Sequence, residues 1–166
     1  MYLYDKKIKV DSKIFELYKD IPKYVSKYFS FGEVYLLGYD YINNHKMYLI
    51  ICFDTIYIIA DNEKELSIQF ELKEYKEKHI YIDDICILDI NKGYGSLAMK
   101  YLIEYATNMG CKYISGCLMG KDIIDHKDRL FHFYKKFNFT IKEFKTPKNG
   151  YHIKLELSTR QKSLKQ

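Results

Sequence analysis

Tryptophan is absent, proline occurs only twice in 166 residues, and the four cysteines form no C-x-x-C pair. Cys52, Cys86, Cys111 and Cys117 therefore lack the spacing of a zinc ribbon or a redox dithiol, and three of them sit in apolar runs. Buried free thiols in a reducing compartment are the expectation. None of the five histidines belongs to an H-E-x-x-H motif or stands at finger spacing from a cysteine, so no metal centre is expected. The start, MYLYDKKIKV, has no basic-then-apolar leader, and no apolar run reaches the length of about 20 residues that a membrane helix requires. A cytoplasmic protein without a membrane partner is expected. Charge of one sign is lacking too: the net charge is +5, and basic residues alternate with acidic ones instead of forming a stripe. Such a surface can attract anionic ligands without calling for nucleic acid. No repeat, low-complexity tract or linker divides the chain, which reads as a single domain over residues 1–157 with a polar, basic tail over 158–166.

What is abundant is tyrosine, with 18 copies, inside a composition that can bury a proper core. The organising stretch runs from Ile80 to Gly110. Ile80, Ile82, Ile85, Ile87 and Leu88 are strand formers, interrupted by Asp83 and Asp84. From Ser96 the period changes, with Ala98, Tyr101, Leu102, Tyr105, Ala106 and Met109 at three- and four-residue steps, which predicts an amphipathic helix stopped by Gly110 as a left-handed cap. Between strand and helix lies Asn91-Lys92-Gly93-Tyr94-Gly95-Ser96. Alternate glycines permit a sharp turn and leave no Cβ to hold a ligand away from the amides, and a helix start attracts anions. A phosphate or pyrophosphate is the natural guest. A plain strand-to-helix connection is the competing reading of these residues alone. The dinucleotide fingerprint fails for want of a third glycine, and Gly116 to Asp122 falls one residue short of a P-loop and lacks its hydroxyl.

The remaining pattern predicts a short strand near Ile8 and helices over 12–19 and 22–29, the second opening on Pro22. Strands follow over 32–40 and 47–53, with Asn43-Asn44 as a turn. Residues 56–60 either continue that strand or begin another. Alternation at Leu66, Ile68, Phe70 and Leu72 predicts the next strand. After the central helix come a strand over 112–118, polar residues 121–128, an aromatic helix over 129–137, and a hairpin of 139–144 with 151–157. Strand, helix, strand favours a parallel pair at the centre. A thiol hydrolase using Cys111 or Cys117 with His132 is disfavoured, since neither cysteine has an activating sequence neighbour.

This element order, with Gly93-Tyr94-Gly95 and Phe133-Tyr134-Lys135-Lys136-Phe137-Asn138-Phe139, resembles the GNAT superfamily of acyl-CoA-dependent N-acyltransferases. The first motif matches the end of the family's Q/R-x-x-G-x-G/A pyrophosphate loop, and the second its F-Y-x-K-x-G-F element. The resemblance implies an α+β fold: a central mixed, mostly antiparallel twisted sheet with one parallel pair, flanked by helices. It implies acetyl-CoA as co-substrate and a small-molecule or peptide amine as acceptor, in a monomer or homodimer. Backbone groups at Cys86, Ile87 and Leu88 would bond the pantetheine, amides from Lys92 through Gly93, Tyr94 and Gly95 to Ser96 would hold the pyrophosphate, and Lys127 stands near a place where relatives carry a polar cofactor contact. Tyr134 corresponds to the tyrosine that protonates the departing CoA thiolate, a role open to a phenol that titrates at about 10. Asp83 and Asp84 are the carboxylates from which a base would come, and strand alternation lets at most one face an acceptor cleft. The sequence departs from the pattern at Ile90, where the family has Gln or Arg, and at Asn138, where it has Gly. Ile90 and a short loop after Asp84 support a second expectation, a catalytically silent binding or protein-interaction module on the same fold.

Overall fold

The computed structural model describes residues 34–52, 54–60, 63–87, 92–144 and 150–157. The strand near Ile8, the helices over 12–19 and 22–29, Leu88 and the tail from 158 lie outside the described residues. Eight strands and two helices are described: β1 (Val34–Ile42), β2 (His45–Cys52), β3 (Thr55–Ala60), β4 (Glu63–Lys73), β5 (His79–Ile87), α1 (Tyr94–Asn108), β6 (Tyr113–Met119), α2 (Lys121–Lys136), β7 (Thr140–Glu143) and β8 (Gly150–Glu156). The strand order is β1-β2-β3-β4-β5-β6-β8-β7. The β5–β6 pair is parallel, and the pairs β1–β2, β2–β3, β3–β4, β6–β8 and β7–β8 are antiparallel. This is the α+β mixed sheet with one parallel pair that the sequence implies.

Packing groups the chain into two compact units: residues 34–70 and 84–102 among those described, and 71–83 with 103 onward. In the first, Asn43 and Asn44 have φ of 51° and 66°, and Ile42 pairs with His45 across them. Two successive left-handed residues make the tight turn whose twist matches a hairpin, and asparagine tolerates that conformation. Cys52 pairs with Thr55, so Ile56 belongs to a strand of its own. Leu49, Ile50, Ile51 and Cys52 are all buried. Because successive strand residues point to opposite faces, both faces of β2 are covered there. Leu97, Ala98, Met99 and Leu102 bury the inner side of α1. At Gly38, beside a register shift in β1, an added Cβ would lie 2.8 Å from Tyr101 Cε1 and Oη. Glycine there lets the helix approach closely enough for the Tyr101 hydroxyl to donate to the Tyr39 carbonyl at 3.2 Å.

In the second unit, β5 and β6 are in register from His79 opposite Tyr113 to Ile82 opposite Gly116. The register ends there, although β5 continues to Ile87 and β6 to Met119. Helix α1 closes on Gly110 (φ 73°): the Cys111 N–H donates to the Ala106 carbonyl at 2.9 Å and the Gly110 N–H to that of Thr107 at 3.1 Å. That double bond is the Schellman closure expected of a glycine at this place. Helix α2 begins at Lys121, eight residues before its aromatic segment. Gly120 at φ 65° turns the chain out of β6, Asp122 complements the helix start, and Ile123 is buried. His126 (φ −139°, ψ 20°) breaks the regular geometry, so the apolar period read from the sequence is that of the part beyond the kink.

Candidate functional site

Within the first unit, the end of β5 and the start of α1 gather Asp84, Cys86, Ile87 and Lys92 to Ser96. Gly93 has φ 89°, and an added Cβ there would meet nothing within 4 Å. Its carbonyl accepts the Leu97 N–H at 3.0 Å, the first bond of the helix. Gly93 is thus the helix cap, an exposed bend whose outer side is open. Helix α1 starts two residues before Ser96, so Gly95 lies inside the first turn and is buried, as is Tyr94. The bend among the described residues is made by Gly93 alone, not by both glycines. The opening N–H groups of any helix have no carbonyl behind them within it, and they carry the positive end of its dipole. Asp84 accepts from the Ile85 N–H at 2.8 Å through Oδ1 and from the Cys86 thiol at 3.0 Å through Oδ2. Cys86 is exposed, contrary to the expectation of a buried thiol, because its run of strand loses cover after Ile82.

Within the second unit lie Asp83, Lys127 and Tyr134. Asp83 and Asp84 are adjacent on β5 and both are exposed. Asp83 shares its strand face with Tyr81 and adds to the field that opposes ionisation of that phenol. The Lys127 ammonium donates to the Tyr151 hydroxyl at 2.7 Å and lies 4.9 Å from the centre of that ring. The hydrogen bond from Lys127 to Tyr151 raises the lysine pKa.

Tyr134 is 4% exposed. Asn138 has φ 64°, the Phe139 N–H donates to the Tyr134 carbonyl at 3.1 Å, and the Asn138 N–H donates to that of Lys135 at 2.9 Å. Helix α2 therefore closes with the same double bond as α1, and Asn138 takes the left-handed position where the family motif has glycine. The Tyr134 and Phe139 rings meet edge to face with centroids 5.3 Å apart, the apolar contact that accompanies this closure. The F-Y-x-K-x-N-F element is thus a helix ending in its own right, with the tyrosine as one half of the seal.

One side-chain cluster escaped the sequence. Cys117 Sγ lies 3.4 Å from His152 Nδ1, and the Tyr81 hydroxyl hydrogen-bonds Cys117. That bond is the chief cause of the rise in the Tyr81 pKa to about 12, followed by burial. The register of β6 against β8 sets Cys117 directly opposite His152, a pairing no local spacing reveals. His132, the histidine weighed with Cys117 from the sequence, is exposed on α2.

No protein-family model matches the chain. The uncharacterized protein YocC of Bacillus subtilis is 39% identical over 67 residues, 40% of this chain, so the match spans only 39% of that curated relative's length. An acetyltransferase of the GNAT family from Streptococcus pneumoniae superposes with a TM-score of 0.52 at 16% identity, covering 66% of this chain and 67% of that one. The ribosomal-protein-S18-alanine N-acetyltransferase of Escherichia coli gives 0.52 at 12% identity, over 66% and 72%. Ard1 from Thermoplasma volcanium gives 0.51 at 15% identity, over 63% and 71%. At such identities the likeness is one of architecture. The chain has the GNAT acetyltransferase fold.

Proposed function

We propose that the chain is an N-acetyltransferase that passes the acetyl group of acetyl-CoA to a primary amine by direct attack. The observation that carries this reading is the Gly93 bend, a left-handed glycine with open space before it, set at the start of the 15-residue helix that follows β5 in the chain. Lys92 brings a cation to the same exposed corner. A diphosphate suits such a corner because rigid main-chain donors lose little entropy on binding. In this reading the pyrophosphate rests at Lys92, Gly93 and Ser96, with the amides of Tyr94 and Gly95 behind it. The pantetheine runs along Cys86, Ile87 and Leu88. Tyr134 returns a proton to the CoA thiolate, and Asp83 or Asp84 takes the one the amine must lose. Lys127 joins the cofactor contacts, exchanging its bond to Tyr151 for one to a phosphate. The acceptor is a small-molecule or peptide amine, and the setting cytoplasmic, in a single domain that acts as a monomer or homodimer.

Calorimetric titration with acetyl-CoA and with CoA lacking its 3′-phosphate tests the cofactor. Binding of both is the expected outcome; no heat from either at millimolar concentration removes the reading. Release of CoA with a panel of amines tests the chemistry: Tyr134→Phe should slow transfer by roughly a hundredfold, the usual weight of a general acid, with nearly unchanged cofactor affinity. A second reading, a silent binding module, draws on Ile90 and on the burial of Gly95, which withdraws one glycine from the bend. Acetyl-CoA binding without release of CoA to any amine would decide for it.

A further inference from the structure

The cluster of Cys117, His152 and Tyr81 has no part in the direct transfer. Cys117 is half-buried on β6, one residue beyond Gly116, the last residue in register with β5. Its sulfur has a nitrogen base at 3.4 Å, in reach of a thiol proton. From β5 the Tyr81 phenol, held protonated, donates to the same sulfur. The Phe144 ring stands edge-on to the His152 imidazole, centroids 4.1 Å apart, and fixes its orientation. Among the described residues, the charged groups near them include Asp83 on β5, Lys142 on β7, paired directly opposite His152, and, on β4, Lys73, whose ammonium lies 4.5 Å from the centre of the Tyr81 ring and 2.9 Å from Glu71. A nucleophile within hydrogen-bond reach of a base, with the base oriented by a third group, is the arrangement on which covalent acyl chemistry is built.

We propose that Cys117 is an acyl-accepting thiol, with His152 as its base and Tyr81 as the donor that steadies the sulfur once its proton has left. The step needs only an acyl thioester. The S–H bond of Cys117 breaks and its proton passes to Nδ1 of His152; the sulfur then bonds to the thioester carbonyl carbon. The bond from that carbon to the leaving sulfur breaks, and the departing thiolate takes the proton back from His152. The products are S-acyl-Cys117 and a free thiol, with no oxidant or reductant. The inference rests on the proposed function only in taking acyl thioesters as molecules the chain meets.

The test exposes the full chain at neutral pH to S-acetyl-N-acetylcysteamine, a small thioester without a nucleotide, and follows intact mass, peptide mapping and sensitivity to neutral hydroxylamine. One hydroxylamine-labile acetyl group is expected at Cys117, absent in Cys117→Ala. Its formation should be at least about tenfold faster than at exposed Cys86, and at least about a hundredfold slower in His152→Gln, the lower edge of what a positioned base contributes. Tyr81→Phe, which keeps the ring, should slow it several-fold and serves if His152→Gln does not fold. Acetylation of Cys86 ahead of Cys117, or an unchanged Cys117 rate in a folded His152→Gln or Tyr81→Phe protein, overturns the inference. Labelling by the small thioester without labelling or binding by acetyl-CoA would uphold Cys117 while removing the proposed cofactor.

Discussion

Replacing Gly116 with alanine probes the point where the parallel pair ends. The new Cβ would lie 3.0 Å from the Ile82 carbonyl oxygen and 3.3 and 3.4 Å from Cδ1 and Cγ1 of Ile153. The first neighbour is backbone held in a sheet and gives little; the second is a side chain that can yield. Forcing a methyl group into a packed site costs about 1–3 kcal/mol, while alanine recovers about 0.4–1 kcal/mol by restricting the unfolded chain, leaving a net loss near 1.5 kcal/mol. For a protein of this size that is a fall in melting temperature of about 3–6 °C. Ile153→Val removes Cδ1 and alone costs about 0.5–1.5 kcal/mol. Together the two changes share one space, so their combined loss should fall short of the sum by more than about 0.5 kcal/mol, beyond the scatter of independent sites. It should still exceed that of Ile153→Val alone, because the contact with the Ile82 carbonyl remains. Urea midpoints at constant slope measure all three. A Gly116→Ala midpoint equal to the parent's, or strict additivity, would refute the reasoning that backbone and side chain jointly exclude a Cβ here.

Asn138→Ala should destabilise the protein by about 1 kcal/mol, since alanine bears the left-handed penalty without the local bonding asparagine offers, whereas Asn138→Gly should be close to neutral in thermal melts. Gly93→Ala should cost about 1–2 kcal/mol from its φ of 89°, since the position is not crowded, and should weaken acetyl-CoA binding in the same preparation. The Tyr81 phenol, at about 12 when folded, keeps its proton while the unfolded chain loses it near the ordinary value of 10. Stability from this group is therefore complete below pH 10 and disappears as the pH climbs through 12. Tyr81→Phe should remove that part of the alkaline slope, and the late-titrating part of the tyrosinate absorbance, to which Tyr57 also contributes because burial raises it, should lose one phenol.

Much of the architecture was legible because it rests on local chemistry. Asn43-Asn44 announces a tight hairpin, Gly110 ends a helix, and the period change after Gly95 separates strand from helix. Helix starts were harder to place. Nothing in Lys121 to Asp128 is strongly periodic, and the turn at Gly120 that launches α2 shows only in the backbone. Alternate glycines suggest a bend that includes Gly95, but Gly95 lies buried in the first turn of α1 between the buried Tyr94 and the helix beyond, a placement the spacing does not show. The Cys117–His152 contact was beyond reach for a different reason: residues 35 apart meet only through strand register, and register is a property of the whole sheet.

The closure of α2 sets limits on what its signature can report. Tyr134 seals the helix against Phe139 whether or not its hydroxyl ever gives up a proton. A descendant that had abandoned acyl chemistry would still be held to an aromatic ring at that place. Survival of the F-Y-x-K-x-N-F signature accordingly records a well-closed helix first, and acyl chemistry only where transfer itself is seen.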